Sequence, residues 1–170
     1  LQLKEYRIMR KLMFAIIALC AASVMVGCDD DRAPKSTRNA FEARYPNAID
    51  VDWDKKHGYS VAEFHIKGQW GECEAWYTKS GEWVMTKFDI KFSELPQAVQ
   101  NAFNDSYGVT TPVDDVERLV RSGNDTIYFI EATIVVNGYL TDIYLDYAED
   151  GTLLRTTVDV DDYDNIYYYL

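Results

Sequence analysis

Few residues here have the chemistry of catalysis or ligation, and their spacing limits what they can do. Glu72 and Glu74 are two apart. On a strand they share a face, about 7 Å apart from strand rise alone. Glycosidases use paired carboxylates, but across a deep cleft, and the chain has no insertion that would build one. Cys73 falls on the opposite strand face and reads as a small packing residue. His57 lies in a turn and His65 on a strand, and two histidines without a thiol partner make no zinc site. Asp159, Asp161, Asp162 and Asp164 suggest Ca²⁺, yet the stretch lacks the sixth-place glycine and twelfth-place glutamate of a calcium loop. A solvated acidic tail is the expected reading. There is no glycine-rich phosphate loop and no serine elbow. The chain is expected to be no enzyme and to need no cofactor or metal.

Cys28 carries a different kind of chemistry. Lys4, Arg7, Arg10 and Lys11 precede an apolar run over 12–26, the pattern of a signal peptide. The run is short for a membrane span, which takes roughly 20 apolar residues. It ends in Met25-Val26-Gly27-Cys28, followed by Asp29-Asp30-Asp31. A small residue before a cysteine at that point resembles the lipobox of bacterial lipoproteins, although Met25 stands where leucine is usual. Residues 1–27 are therefore expected to be removed and Cys28 to carry lipid, with 28–36 as an acidic tether. The expected location is the cell envelope, lipid-anchored at the outer membrane on its periplasmic or surface side.

Removal of 1–27 would leave 13 basic and 27 acidic side chains, net −14. Such a surface repels nucleic-acid phosphates and anionic lipid headgroups, so attachment is expected through acyl chains rather than a basic patch. The apolar share of 48% is far from a disordered profile.

The elements that must position these residues are written twice. At an offset of 70, Ala62 falls on Ala132, Phe64 on Ile134, Gly68 on Gly138, Tyr77 on Tyr147 and Gly81 on Gly151. At an offset of 62, Phe41 and Tyr45 fall on Phe103 and Tyr107. Thr37 is expected to cap a first helix to Arg44, and Ser93 a second one ended by Gly108. Ile49, Val51 and Trp53 alternate with aspartates, as in a half-buried strand. Further strands are expected over 59–67, 70–77 and 82–90, then 113–121, 126–137, 139–148 and 152–160. The predicted class is α+β, with two tandem helix-plus-four-stranded antiparallel repeats (37–92 and 93–160) able to form one continuous curved sheet. Residues 161–170 are an acidic, tyrosine-rich tail.

This unit resembles the PepSY-like, β-lactamase-inhibitor-like (BLIP-like) family of secreted and lipid-anchored bacterial proteins. The residues carrying the resemblance are Phe41-x-x-x-Tyr45-Pro46, Trp53, Ala62-Glu63-Phe64, Ala75-Trp76-Tyr77-x-x-x-Gly81-Glu82-Trp83, Leu95-Pro96 and Leu145-Asp146-Tyr147-x-x-x-Gly151-Thr152-Leu153. The resemblance implies a non-catalytic binding module and carries no active residues with it.

One short helix per unit covers one sheet face, which leaves the other for a partner. By alternation that face carries Tyr59, Glu63, His65, Trp70, Glu72, Glu74 and Trp76, then Phe129, Glu131, Thr133, Asp142, Tyr144 and Asp146. Aromatics among carboxylates suit protein or peptide recognition. The expected function is a lipid-anchored envelope module that binds, and inhibits or regulates, a protein partner. The alternative is an envelope binder of a small ligand or divalent cation.

Overall fold

The computed structural model describes residues 33–123 and 125–158. The leader, Cys28, the tether as far as residue 32, the aspartates from Asp159 onward and the tail lie outside these residues; the expected tether ends early, because Ala33 is buried and Lys35 and Ser36 already belong to the first helix. Helix α1 (Lys35–Arg44) precedes β1 (Ala48–Lys56), β2 (Tyr59–Ile66), β3 (Cys73–Tyr77) and β4 (Trp83–Asp89). Helix α2 (Gln97–Tyr107) precedes β5 (Val113–Arg121), β6 (Thr126–Val136), β7 (Tyr139–Ala148) and β8 (Leu153–Val158). The eight strands form one antiparallel sheet in chain order, β1 to β8. The two groups of four meet at β4–β5, where Met85 pairs with Arg121 and Asp89 with Glu117.

Both helices lie on the same face of the sheet, as the register shows. Cys73 pairs with Phe88, Phe88 with Arg118, and Arg118 with Tyr128, so these residues share a face. On it Phe41 of α1 packs with Ala62, Phe64, Cys73, Ala75 and Tyr77. Val99 and Phe103 of α2 pack there with Tyr128, Ile130, Ala132, Ile143, Leu145 and Tyr147. Spacing of four puts Phe41 beside Tyr45 and Phe103 beside Tyr107, with ring centroids 5.4 Å apart in both pairs. Cys73 is buried in the first cluster, and burial, helped by Asp89, pushes its thiol up to about 11.

Several local expectations are corrected. Thr37 does not cap α1: the helix begins two residues earlier, with Pro34 at the cap position. Thr37 is fully buried, occupying the core-facing place that Val99 takes in α2. Ser93 does not cap α2 either. It sits in a 3₁₀ turn, Phe92–Glu94, where the Lys91 backbone N–H donates to the Glu94 carboxylate. Pro96 then holds the cap position of α2.

The alternation of Ile49, Val51 and Trp53 breaks at a bulge between Ile49 and Asp52. Asp50 there takes a left-handed φ of 54°, and the extra residue shifts which side chains face the helix. Trp53 reaches Phe41, with ring centroids 5.4 Å apart, while Ile49 and Val51 stay exposed. The third strand starts at Cys73 rather than at 70, because the chain turns at Gly68 and Gly71 with φ of 85° and 89°.

Candidate partner-binding face

The sheet face opposite the helices is built by strand alternation. Val61 pairs with Trp76 and Glu63 with Glu74. Trp76 pairs with Met85 and Glu74 with Lys87, and Lys87 pairs with Leu119. On the far side Phe129 pairs with Asp146, Glu131 with Tyr144 and Thr133 with Asp142. The register therefore brings Tyr59, Glu63, His65, Glu74, Trp76, Phe129, Glu131, Thr133, Asp142, Tyr144 and Asp146 to one face, as the alternation predicts. Trp70 and Glu72 fall outside β3, in the β2–β3 connection. Trp70 is 58% exposed, with the Lys91 ammonium 5.7 Å from its ring centroid.

Two features of this face differ from the expectation. The first is an apolar strip of Val61, Trp76, Met85, Leu119, Ile127 and Phe129, all buried. Trp76 is fully buried rather than displayed, with the Tyr59 ring tilted against it at a centroid distance of 5.9 Å. Neither helix supplies this burial. The strip crosses the β4–β5 seam and links the two groups of strands.

The second is a row of alternating charges. Lys56 Nζ donates to Glu63 Oε1 at 2.9 Å and also bonds Glu74. Lys87 Nζ lies 3.8 Å from Glu74 Oε2 and 3.0 Å from Glu117 Oε1. Burial lowers the Lys56 pKa, but the two carboxylates outweigh it and hold the ammonium above its ordinary range. Glu117 goes the other way. Burial dominates, Lys87 opposes it, Asp115 and Asp89 add to it, and the carboxyl is pushed up to about 7. Burial is also the main cause that raises Asp89 and Glu72, whose other carboxylate neighbours act in the same direction. At the β7–β8 edge, Arg155 Nε donates to Asp146 Oδ2 at 2.7 Å, and Asp146 is 1% exposed.

The expectation missed Lys56, Met85, Lys87, Glu117, Leu119 and Arg155. Alternation carries the signal for four of these six, since Met85 and Lys87, and Glu117 and Leu119, are two apart within predicted strands. Among the described residues no group of three or more His, Cys, Asp or Glu is placed to hold a metal ion. Among the same residues, no helix is long and apolar enough to cross a membrane.

One open antiparallel sheet with two helices on one face places the chain in the α+β class, with a BLIP-like fold. The sequence profile described as "Putative beta-lactamase-inhibitor-like, PepSY-like" matches residues 71–155, half of the chain. The chain belongs to that family.

Solved structures agree. A BLIP-like protein from Bacteroides fragilis is 28% identical, covering 80% of this chain and 97% of its own, with a TM-score of 0.67. A "putative periplasmic" protein from Bacteroides eggerthii is 27% identical, covering 75% and 89%, with a TM-score of 0.67. A DUF2874 family protein from Bacteroides ovatus is 28% identical over 75% and 89%, with a TM-score of 0.66. No curated protein matches the chain.

Proposed function

We propose that the chain is a non-catalytic module of the cell envelope, anchored by lipid on Cys28, that binds and inhibits or regulates a protein through the sheet face opposite α1 and α2. The observation that carries this reading is the face itself. Helices α1 and α2 lie on the opposite side, while β2, β3, β6 and β7 bring Glu63, Glu74, Glu131, Asp142 and Tyr144 to this one. Family membership and the BLIP-like neighbour support an inhibitor-like role. The ionisable side chains support a non-catalytic one. Glu63, Glu74 and Glu117 are tied to lysines in a row rather than set across a cleft. We also read the two helix-plus-four-strand groups as a duplicated unit, with boundaries at 37–92 and 93–160. Glycines 81 and 151 each sit against the helix of their own group, as a duplication predicts.

Capture of a protein from envelope extract by the full chain tests the reading, beside a Glu63→Lys/Tyr144→Ala variant. Trp76 is a poor probe, because truncating a buried tryptophan costs about 3–5 kcal/mol and would unfold a share of the chain. A protein held by the wild type and lost by the folded variant is the expected result; equal capture would overturn it. For the anchor, Cys28→Ser is expected to abolish incorporation of a labelled fatty acid, and incorporation that survives it would remove Cys28.

A further inference from the structure

On the helix side of the sheet, β4 carries two arginines stacked on its rings. The Arg44 guanidinium, from the last turn of α1, lies 3.7 Å from the Trp83 ring centroid, and the Arg118 guanidinium lies 4.7 Å from the Phe88 centroid. Trp83 and Phe88 are an odd number of residues apart, so regular alternation would send them to opposite faces. A bulge intervenes: Tyr77 pairs with Trp83, but Trp76 pairs with Met85. The extra residue brings both rings to the cluster under α1. The Trp83 ring is fixed by its Nε1–H, which donates to Thr86 Oγ1 at 2.8 Å.

Arg118 stands where the two helix-covered clusters meet. Its strand partners are Phe88, of the first cluster, and Tyr128, of the second. Burial raises the Cys73 thiol and the Tyr128 phenol, and the Arg118 charge opposes that rise at both, so it lies close to each. The Arg118 Nε–H is buried and has no hydrogen-bond partner among the described residues. Among the same residues, no carboxylate lies within ion-pair distance of Arg44 or Arg118. Charges withdrawn from water are ordinarily paired. Helix α1 adds to the excess, with Lys35, Arg38 and Arg44 against Glu42. In a chain of net −11, this is a local cationic surface.

We propose that the helix side of the β4–β5 seam takes an extended, acidic segment of a protein partner, with one carboxylate on Arg44 and another on Arg118. Each guanidinium offers a carboxylate two parallel N–H groups, and the ring beneath it holds its plane. Strand rise puts Trp83 and Phe88 roughly 15 Å apart. One phosphate or carboxylate cannot bridge that distance, but about five residues of extended chain can. Nucleic acid carries charge along its whole length and would bring most of it against an acidic protein. A second copy, net −11 as well, is repelled overall. This site lies on the side of the sheet away from the face proposed above, and neither reading depends on the other.

The test uses the full chain and three labelled ten-residue peptides: alternating Glu-Ser, Gln-Ser and Lys-Ser. Glu-Ser is expected to bind at least about tenfold more tightly than the other two, and Arg44→Gln/Arg118→Gln to weaken it by a similar factor with an unchanged circular dichroism spectrum. Arg44 is exposed, so Arg44→Gln alone leaves folding intact and should weaken binding about threefold, the worth of one exposed ion pair. Equal affinity for Glu-Ser and Gln-Ser, or undiminished binding by the double variant, overturns the proposal. So does displacement of the peptide by an equal concentration of inorganic phosphate, which would make each arginine a small-anion site. Tighter binding of a single-stranded oligonucleotide, or self-association that the double variant abolishes, overturns it too. Glu63→Lys/Tyr144→Ala is expected to lose the envelope protein and keep the Glu-Ser peptide. Loss of the peptide by that variant, with both arginines intact, would overturn this site alone.

Discussion

Lys87 Nζ lies 3.0 Å from Glu117 Oε1, across the β4–β5 seam that joins the two groups of four strands. The pair does not bring Glu117 back to an ordinary carboxyl. Its side chain is only 15% exposed, and lost hydration outweighs the lysine. In the folded chain it titrates at about 7, against an ordinary 4.5. The folded state therefore keeps a proton that the unfolded chain has already released. Stability is expected to be highest below about pH 4.5 for this group, to fall as pH rises toward 7, and then to level off. The shift corresponds to about 3 kcal/mol at most. Asp89 and Glu72 are raised too, so they add to the slope. Urea unfolding at pH 5 and pH 8 should show wild type losing stability, and Glu117→Gln should lose markedly less. A wild type that gains stability over that range would contradict the sign.

Thr86 is a second point where one hydroxyl organises its surroundings. It is fully buried on the helix face. Trp83 Nε1 donates to its Oγ1 at 2.8 Å, and the Tyr45 hydroxyl lies 2.6 Å from the same atom. Thr86→Val keeps the shape and removes both contacts, leaving an indole N–H and a phenol without this partner. The expected cost is about 2–3 kcal/mol, from two groups losing bonds in a desolvated site. Thr86→Ser keeps the hydroxyl and should recover most of it. A Val variant within about 0.5 kcal/mol of wild type in chemical denaturation would show that neither bond matters.

How much of this was legible follows from which interactions are local. Periodicity of two and of four, with glycine at the turns, was enough for the eight strands, both helices and the faces of the strands, save in β1 and at the start of β3. It failed where a single backbone conformation decides the outcome. Asp50 at φ 54° moves Ile49 out of the predicted alternation, and aspartate in a strand of alternating apolar and acidic residues gives no warning of it. It failed again at the helix starts, because Thr37 and Ser93 have capping side chains but Pro34 and Pro96 hold the cap positions. The site was half legible. Alternation assigned the face, but the burial of Trp76 and the Lys56–Glu74–Lys87–Glu117 row depend on strand register. Register is a long-range property, and no pattern inside one strand contains it.

Tyr77 and Tyr147, which correspond at the offset of 70, are both buried with hydroxyls that have no hydrogen-bond partner among the described residues. Burial raises both phenols, Tyr147 to about 12. A buried hydroxyl without a partner opposes folding, so removing it while keeping the ring should help or be neutral. Tyr77→Phe and Tyr147→Phe are each expected to raise stability by about 0–1 kcal/mol. A loss above 1 kcal/mol in either, by thermal or urea unfolding, would show that the hydroxyl is bonded.

Two turn glycines separate backbone strain from contact. Gly138, at φ 85°, has nothing within 4 Å of the place a Cβ would take. Gly151, also at φ 85°, would set a Cβ 2.6 Å from the Ala98 carbonyl oxygen and 2.9 Å from its carbon. Both atoms are backbone in the first turn of α2, so the clash cannot be relieved by a side-chain rotation. Gly138→Ala carries the left-handed penalty alone, about 1–2 kcal/mol. Gly151→Ala carries the same penalty and must also displace α2 from the sheet or open the β7–β8 turn. The Gly151 variant is therefore expected to lose at least 1–2 kcal/mol more than the Gly138 variant, roughly the cost of overpacking, with weakened near-ultraviolet signal from the rings around Phe103. Equal losses would mean that α2 does not rest on the β7–β8 turn as closely as this contact requires.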